Sequence, residues 1–104
     1  EQERLVASLG ANKVLILRNH GLLTTGTTLE EAFIHMFRLQ RACEIQIAAQ
    51  AGGAALVVPS DSVCEDAARM ADEFLQDTSG DAPGKPEFDA YLRLMDRLDP
   101  TYGA

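Results

Sequence analysis

The stretch VLILRNHGLLTTGTTLEEAF, from Val14 to Phe33, decides the fold of this chain. It opens with the run VLIL, which is apolar on both alternations and is therefore typical of a β-strand covered on both faces. The run leads directly into Arg-Asn-His-Gly, and a second, weaker strand is predicted from Leu22 to Gly26, after a sharp turn at Gly21. The stretch therefore predicts a buried strand that carries a histidine, His20, at its carboxyl end.

A long helix is predicted after the second strand. Thr28 is placed to cap it, and Glu31 completes a capping box. The helix is expected to run from Leu29 to about Ala51, where Gly52 and Gly53 end it. Apolar residues occur on several of its faces, so we expect the helix to be covered from several sides, in part by another subunit.

Two further helices are predicted on either side of this stretch. An N-terminal helix is expected to end at Leu9, with Gly10 as its stop signal. A third helix is predicted behind a second capping box, Ser62 and Glu65, and its single apolar stripe places it on a surface. The stripe consists of Val63, Ala67, Met70 and Phe74.

The C-terminal part of the chain combines a loop with a last helix. Residues 77–86, DTSGDAPGKP, are rich in turn formers and predict a flexible loop. A helix and tail are predicted over residues 87–104, with the helix ended by Asp99 and Pro100. The apolar face of this helix consists of Phe88, Tyr91, Leu92 and Met95.

The strand count indicates that this inventory is incomplete. One strongly buried strand and one weak strand cannot make a sheet with both faces covered, and two strands alone are marginally stable. We therefore expect the C-terminal part of a larger α/β domain whose other strands lie outside this chain, and the lack of a methionine before Glu1 agrees with that expectation. The alternative is a small α+β domain that is complete in itself.

Composition excludes several classes of protein. The 104 residues are enough for one small domain, and the net charge of −7 with scattered Lys and Arg residues argues against a nucleic-acid binder. No apolar run is long enough to cross a bilayer and no secretory signal is visible, so we expect a cytoplasmic protein that binds no membrane. Cys43 and Cys64 form no C-x-x-C pattern and are expected to be reduced, buried thiols, with a disulfide or a metal pair as the alternatives.

His20 is the main candidate for a functional residue. Ligands bind outside the carboxyl ends of strands in open α/β sheets, and Gly21 beside it permits a metal or substrate to approach closely. A neutral imidazole is a common zinc ligand, but a zinc site needs about three protein ligands and the chain offers no convincing partners for His20. On the residues alone, a hydrogen-bonded structural histidine is therefore favoured over a metal ligand.

Other polar residues have weaker claims. Arg18 could clamp an anionic group, or it could be a structural ion-pair partner. His35 is expected to be solvated, on the side of its helix away from the main apolar stripe. Tyr102 could donate a proton in catalysis if the tail folds over a site, the alternative being a partly ordered tail residue. Four acidic residues are interpreted as helix caps and faces: Glu30, Glu31, Glu44 and Glu65.

The quoted stretch closely resembles the segment shared by the class II aldolase and adducin head-domain family. That segment combines an apolar strand, Arg-Asn-His-Gly, a short strand ending in Gly, and a helix that opens with Glu-Glu-Ala-Phe. The following ACEIQIAAQAGG, Ala42 to Gly53, is similar to the adducin-type branch and its bacterial relatives, and the closing FDAYLRLMDRLDPTY resembles the C-terminal end of those bacterial proteins. The resemblance covers nearly the whole chain.

The resemblance implies a fold and a metal site. The fold would be the C-terminal portion of a three-layer α/β/α class II aldolase-like domain, with two strands and about four helices in residues 1–104 and the N-terminal half absent. His20 would be one of three histidines that bind a divalent metal, usually Zn²⁺, which reverses the preference stated above. The other two histidines, in a His-x-His motif, would lie in the earlier part of the domain, as would a catalytic glutamate and the phosphate-binding loop.

The resemblance also implies two candidate functions. The first is part of a zinc-dependent lyase or epimerase of carbohydrate metabolism that acts on a small sugar phosphate or a related hydroxy-carbonyl substrate through a zinc-stabilised enediolate, or decarboxylates it. The protein would be a homo-oligomer, a tetramer or a dimer, and the 104 residues alone would be inactive. The alternative is a non-catalytic oligomerisation or scaffold module of the adducin-head type. A soluble α+β domain in which His20 is only a hydrogen-bonded turn residue is a third possibility.

Overall fold

The computed structural model describes residues 2–76 and 80–103. They form α1 (Gln2–Leu9), β1 (Val14–Leu17), β2 (Gly21–Thr24), α2 (Leu29–Ala51), α3 (Asp61–Gln76), α4 (Lys85–Leu98) and a short 3₁₀ helix (Pro100–Gly103). The predicted mixed α/β fold with two strands and four helices is confirmed. The predicted bounds of β1 and α2 match the structure, whereas β2 lies slightly earlier in the chain than expected.

The two strands form an antiparallel hairpin with a three-residue tip. Leu17 pairs with Gly21 at the tip, and Val14 pairs with Thr24 at the open end. The tip closes with a hydrogen bond of 3.3 Å from the backbone N–H of His20 to the carbonyl oxygen of Leu17. Asn19 has a φ of 63° at the third position of this turn, a conformation that a type II turn requires and that Gly and Asn adopt best. The turn chemistry of Arg-Asn-His-Gly thus decides where the hairpin reverses.

The two faces of the hairpin are covered by different helices. Ile16 lies beside residues of α2, and Leu17 lies beside residues of α1. Successive residues of a strand point to opposite faces, so α1 and α2 lie on opposite sides of the hairpin. This gives the helix, sheet, helix layering that the family resemblance implies. The cover is partial, because Ile16 is still 69% exposed.

α2 starts with a modified capping box, in which one of the two usual side-chain hydrogen bonds goes to a different residue. The hydroxyl of Thr28 accepts a hydrogen bond of 3.2 Å from the backbone N–H of Glu31, as predicted. The Glu31 carboxylate reaches back to Thr27 rather than to the cap, and it accepts bonds of 2.7 Å from both the backbone N–H and the hydroxyl of Thr27. The result is a rigid entry to α2 directly after β2.

The core lies between α2 and α4. Ile34 is 3% exposed and is the only buried apolar side chain among residues 2–74 and 80–103. Next to it, Phe33 packs edge-on against Phe88 and Tyr91, with ring centroids 5.3 and 5.4 Å apart, respectively. These contacts confirm that Phe88 and Tyr91 lie on the inner face of α4, as its periodicity indicates.

α3 differs from the prediction at its start. It begins at Asp61, so Ser62 lies inside the helix and the predicted capping box of Ser62 and Glu65 is wrong. The backbone N–H of Cys64 donates to the carbonyl oxygen of Ser60, so the helix starts two residues earlier than a cap at Ser62 would allow. The stripe faces solvent in the described part of the chain: Val63, Met70 and Phe74 are 56–70% exposed.

The C-terminal segment and the thiols also refine the predictions. α4 begins at Lys85, inside the predicted loop of residues 77–86, because Pro86 is favourable in the first turn of a helix. Residues 77–79 of that loop lie outside the described residues. Both cysteines are free thiols, but the expected burial is wrong: Cys64 is exposed and Cys43 is half-buried. None of the described helices is long and apolar enough to cross a membrane.

Candidate functional site

His20 stands at the exposed tip of the hairpin. The type II turn presents it immediately after the end of β1, and Gly21 follows with a φ of 88° and no atom within 4 Å of the position its Cβ would occupy. Neither ring nitrogen of His20 has a hydrogen-bond partner within the described residues. The imidazole is therefore accessible to a ligand that binds at this end of the hairpin.

A hollow of about 480 Å³ lies beside His20. Its walls come from α1 on one side and from the end of β1 with its turn on the other. The lining residues are Arg4, Leu5, Ser8, Leu17, Arg18 and His20. The volume is within the range of small-molecule sites, and the lining combines apolar side chains with a few polar groups, as such sites usually do. This hollow is the candidate functional site of the chain.

The hollow by itself does not complete a metal site. No group of three or more His, Cys, Asp or Glu side chains in the described part of the chain is arranged to hold a metal ion. A catalytic zinc site needs about three protein ligands, so His20 can supply one and the others must come from elsewhere. No catalytic step through a metal can be derived from these residues alone.

Arg18 lies in the hollow next to the candidate histidine. Of the two roles that the sequence left open, the ion-pair role has no support, because the Arg18 guanidinium has no carboxylate partner within the described residues. The role of an anion clamp stays open. Arg4 and Ser8 were not singled out from the sequence, since nothing in the pattern of α1 shows that it packs beside the hairpin tip.

A second polar cluster lies at the start of α2, away from the hollow. The expectation of a solvated His35 is wrong: its side chain is 11% exposed and its Nε2 lies 3.6 Å from Oε1 of Glu31. That Nε2 is buried and has no hydrogen-bond partner in the described residues. The ammonium of Lys13 lies 3.8 Å from the same Oε1. His35 lies one helical turn after Glu31, so the two side chains are neighbours on one face of α2.

Glu31 is the ionised centre of this cluster. The hydrogen bonds from the backbone N–H and the hydroxyl of Thr27 lower its pKa below the ordinary value of 4.5, and the positive charge of Lys13 acts in the same direction. Glu31 is 8% exposed to solvent. The sequence marks Glu31 as a cap, but its burial depends on the position of Lys13 and the hairpin, which the capping pattern does not specify.

Tyr102 does not join the hollow. Its hydroxyl donates a hydrogen bond of 2.9 Å to Oδ1 of Asp96, and that carboxylate raises the pKa of Tyr102 above its ordinary value. It lies in the 3₁₀ helix that follows α4 and is 50% exposed. Within this chain, the structure therefore does not bring Tyr102 together with His20.

Comparison with known proteins places these elements in a family. The Class II Aldolase and Adducin N-terminal domain family matches residues 1–47, which include the hairpin, His20 and the start of α2. The crystal structure of an aldolase II superfamily protein from Pseudomonas syringae superimposes with a TM-score of 0.79 and 40% identity, over 98% of this chain and 39% of that one.

Two sequence relatives match nearly the whole of this chain. A Pseudomonas aeruginosa protein, whose name assigns it to the class 2 aldolases, is 42% identical over 102 residues. The match covers 98% of this chain and 39% of that protein. Alpha-adducin of Rattus norvegicus is 39% identical over 108 residues, which is 94% of this chain and 15% of that protein. The chain belongs to the class II aldolase and adducin family. It spans less than two fifths of the length of these relatives.

Proposed function

We propose that this chain is the C-terminal part of a metal-dependent class II aldolase-like domain, with His20 as one ligand of a divalent metal ion, Zn²⁺ or a similar ion. The observation that carries the proposal is the position of His20: at the end of a family-specific strand, on an ordered turn, with both ring nitrogens free of partners within the described residues. The structural alternative is a histidine hydrogen-bonded to its neighbours, and the described residues contain no such bond to its ring.

The proposed ligand set and substrate class are those that the resemblance to the family implies. The remaining metal ligands and the groups that move protons would lie outside these residues. A bound divalent ion supplies Lewis acidity toward the oxygens of a hydroxy-carbonyl compound, such as a sugar phosphate, which suits aldol cleavage or epimerisation. The contribution of this chain is to fix the histidine through the turn and to line one side of the hollow with Leu17 and Arg18.

The exposed apolar surface supports a larger assembly. Ile16, Ile45 and Ile47 are 66–69% exposed, and a second hollow of about 350 Å³ lies among Ile16 and residues of α2. Soluble proteins rarely leave so much apolar surface uncovered. We propose that further parts of the same domain and a second subunit cover it, in a cytoplasmic homo-oligomer that binds a small molecule.

Metal content tests the proposal directly. The longest natural chain that carries these residues would be purified as the wild type, His20→Ala and His35→Gln, and the bound metal measured by inductively coupled plasma mass spectrometry. We expect stoichiometric divalent metal in the wild type and in His35→Gln, which removes the other imidazole of the chain, and loss of most of it in His20→Ala. Circular dichroism checks that each variant is folded.

Two results would contradict the metal site. Equal metal in His20→Ala and the wild type would exclude His20 as a ligand, and an absence of metal from a folded wild type would exclude the site. If metal is present, cleavage of a panel of sugar phosphates, followed by release of the aldehyde, tests for the lyase.

The second candidate function is a non-catalytic module of the adducin-head type. The similarity to alpha-adducin supports it, because 39% identity over 94% of the chain is nearly as strong as the 42% identity over 98% of the chain to the Pseudomonas aeruginosa protein. In this case the wild type would contain no metal, and sedimentation velocity would show the oligomer unchanged in His20→Ala.

A further inference from the structure

The hollow beside His20 is positively charged in an acidic chain. Its six lining residues include two arginines, Arg4 and Arg18, and no carboxylate, although the chain as a whole has a net charge of −7. We propose that this hollow binds an oxyanion, the carboxylate or phosphate group of a small-molecule ligand. The proposal rests on the proposed function only in taking that ligand to be the substrate handled at His20.

The two guanidinium groups are available for an external anion. Neither Arg4 nor Arg18 has an ion-pair or hydrogen-bond partner within the described residues. By contrast, Arg41 and Arg69 are tied to neighbouring carboxylates of their own helices, at 2.9 and 3.1 Å respectively. A guanidinium presents a planar fork of N–H donors that matches a carboxylate or phosphate in a bidentate manner. Two such forks on opposite walls of one hollow can hold an oxyanion from two sides.

The backbone positions these groups on ordered elements. Arg18 is the second residue of the type II turn, which the His20 to Leu17 hydrogen bond closes. Arg4 lies one helical turn before Ser8 on α1, so that the two side chains are neighbours on one face of the helix. The Ser8 hydroxyl can add a further hydrogen bond to the same anion.

The lining also includes two apolar side chains, Leu5 and Leu17. They can contact the carbon skeleton of a bound small molecule while the guanidinium groups hold its oxyanion. Since His20 lines the hollow too, the bound anion would lie next to the proposed metal ligand, and a substrate with both a carbonyl group and an oxyanion could reach both groups.

Anion binding by variants of the two arginines tests this inference. Inorganic phosphate and malonate would each be titrated by isothermal calorimetry, at low ionic strength, into the longest natural chain that carries these residues. We expect Arg4→Gln and Arg18→Gln each to weaken binding of at least one anion about tenfold or more, since each removes charge-assisted hydrogen bonds. Arg18→Lys should lie between the wild type and Arg18→Gln, because it keeps the charge and loses the fork.

Arg93→Gln is the matched control. Arg93 is exposed on α4, has no ion-pair partner in the described residues and does not line the hollow, so its loss removes the same charge elsewhere. Its affinity should stay within about twofold of the wild type, because exposed charges at a distance are largely screened. A response to phosphate alone identifies a phosphate ligand, and a response to malonate alone identifies a carboxylate.

Wild-type affinity for both anions in Arg4→Gln and Arg18→Gln would overturn the inference, as would an absence of anion binding to the wild type. If the anion binds at a different site in the protein, both arginine variants will keep wild-type affinity. The failure of the proposed function is seen separately, as metal retained by His20→Ala, because metal content and anion affinity are independent measurements.

Discussion

Gly84 lies directly against Ile34, the residue at the centre of the small core. A Cβ at position 84 would be 2.6 Å from Cγ2 of Ile34 and 2.7 Å from the carbonyl oxygen of Glu30. Gly84 also has a φ of 80°, in the left-handed region. The absence of a side chain at this one position therefore permits the loop before α4 to touch α2, and it sets the distance between the two helices.

Gly84→Ala should destabilise the protein by about 3 kcal/mol, from about 1 kcal/mol of left-handed backbone strain and about 2 kcal/mol of overpacking. The matched control is Gly80→Ala, because Gly80 has a φ of 93° but no atom of the described residues within 4 Å of its Cβ position. Gly80→Ala should therefore lose only the stability that corresponds to the left-handed backbone strain, about 1 kcal/mol. Urea denaturation of the longest natural chain measures both, and equal losses would show that the contact with Ile34 carries no cost.

The Glu31 cluster predicts a pH dependence of stability. Folding lowers the pKa of Glu31 below its ordinary value of 4.5, so the native state binds fewer protons than the unfolded state in that region. Its contribution should therefore be complete above pH 4.5 and should be lost as the pH falls through the lower folded pKa. Glu31→Gln should cost about 1.5–3 kcal/mol at neutral pH, the usual worth of hydrogen bonds to a charged group, and should flatten the acid limb of the stability profile.

The matched control for that experiment is Glu44→Gln, which removes an exposed carboxylate of the same helix. Exposed ion pairs contribute little, so its profile should follow the wild type within about 1 kcal/mol. An acid limb that is unchanged in Glu31→Gln would assign the acid sensitivity to other groups.

Tyr102 should titrate above the usual range for a phenol. The neighbouring Asp96 carboxylate accepts its hydrogen bond and repels the phenolate, which raises the pKa of Tyr102 above 10.0. Asp96→Asn should lower that pKa toward 10.0 because the negative charge is removed. Ultraviolet difference titration, with Tyr102→Phe to assign the signal, measures it. The same pKa in the wild type and in Asp96→Asn would contradict the hydrogen bond.

The two thiols should differ in reactivity. Cys64 is exposed in the first turn of α3, whereas Cys43 is half-buried on α2 and lines the apolar hollow with Ile16. A thiol reagent such as dithionitrobenzoate should therefore modify Cys64 first in the folded protein. Comparison of Cys64→Ser with Cys43→Ser assigns the fast phase, and a fast phase that persists in Cys64→Ser would contradict the ordering.

Local chemistry made parts of this structure predictable. The bounds of α2 follow from the Thr28 cap and from Gly52 and Gly53, which lie within a few residues of the helix they limit. The turn was predicted at Gly21, whereas the chain reverses over Arg18, Asn19 and His20, with Asn19 in the left-handed conformation and Gly21 already in β2. The predictions failed where two local signals competed: Ser60 and Ser62 both offer a start for α3, and the helix begins just after the first.

The burial of polar side chains was not predictable in the same way. Periodicity placed His35 away from the main apolar stripe of α2, but its side chain is 11% exposed and lies 3.6 Å from Glu31, which in turn lies 3.8 Å from Lys13. Cys64 is exposed because α3 packs against no other element: within the described residues, no Cα of α3 lies within 8 Å of another helix or strand. Both outcomes depend on how elements are arranged in space, which the pattern of one helix does not encode.

The sequence by itself determined the two strands, the Thr28 cap of α2 and the position of His20, because turn and capping preferences act between residues a few positions apart. Its motifs also point to the family to which the chain belongs. Only the tertiary structure decided that Arg4 of α1 shares a hollow with Arg18 and His20. That proximity follows from the packing of α1 on one face of the hairpin and α2 on the other. The direction in which a helix crosses a strand is set by contacts between side chains distant in sequence.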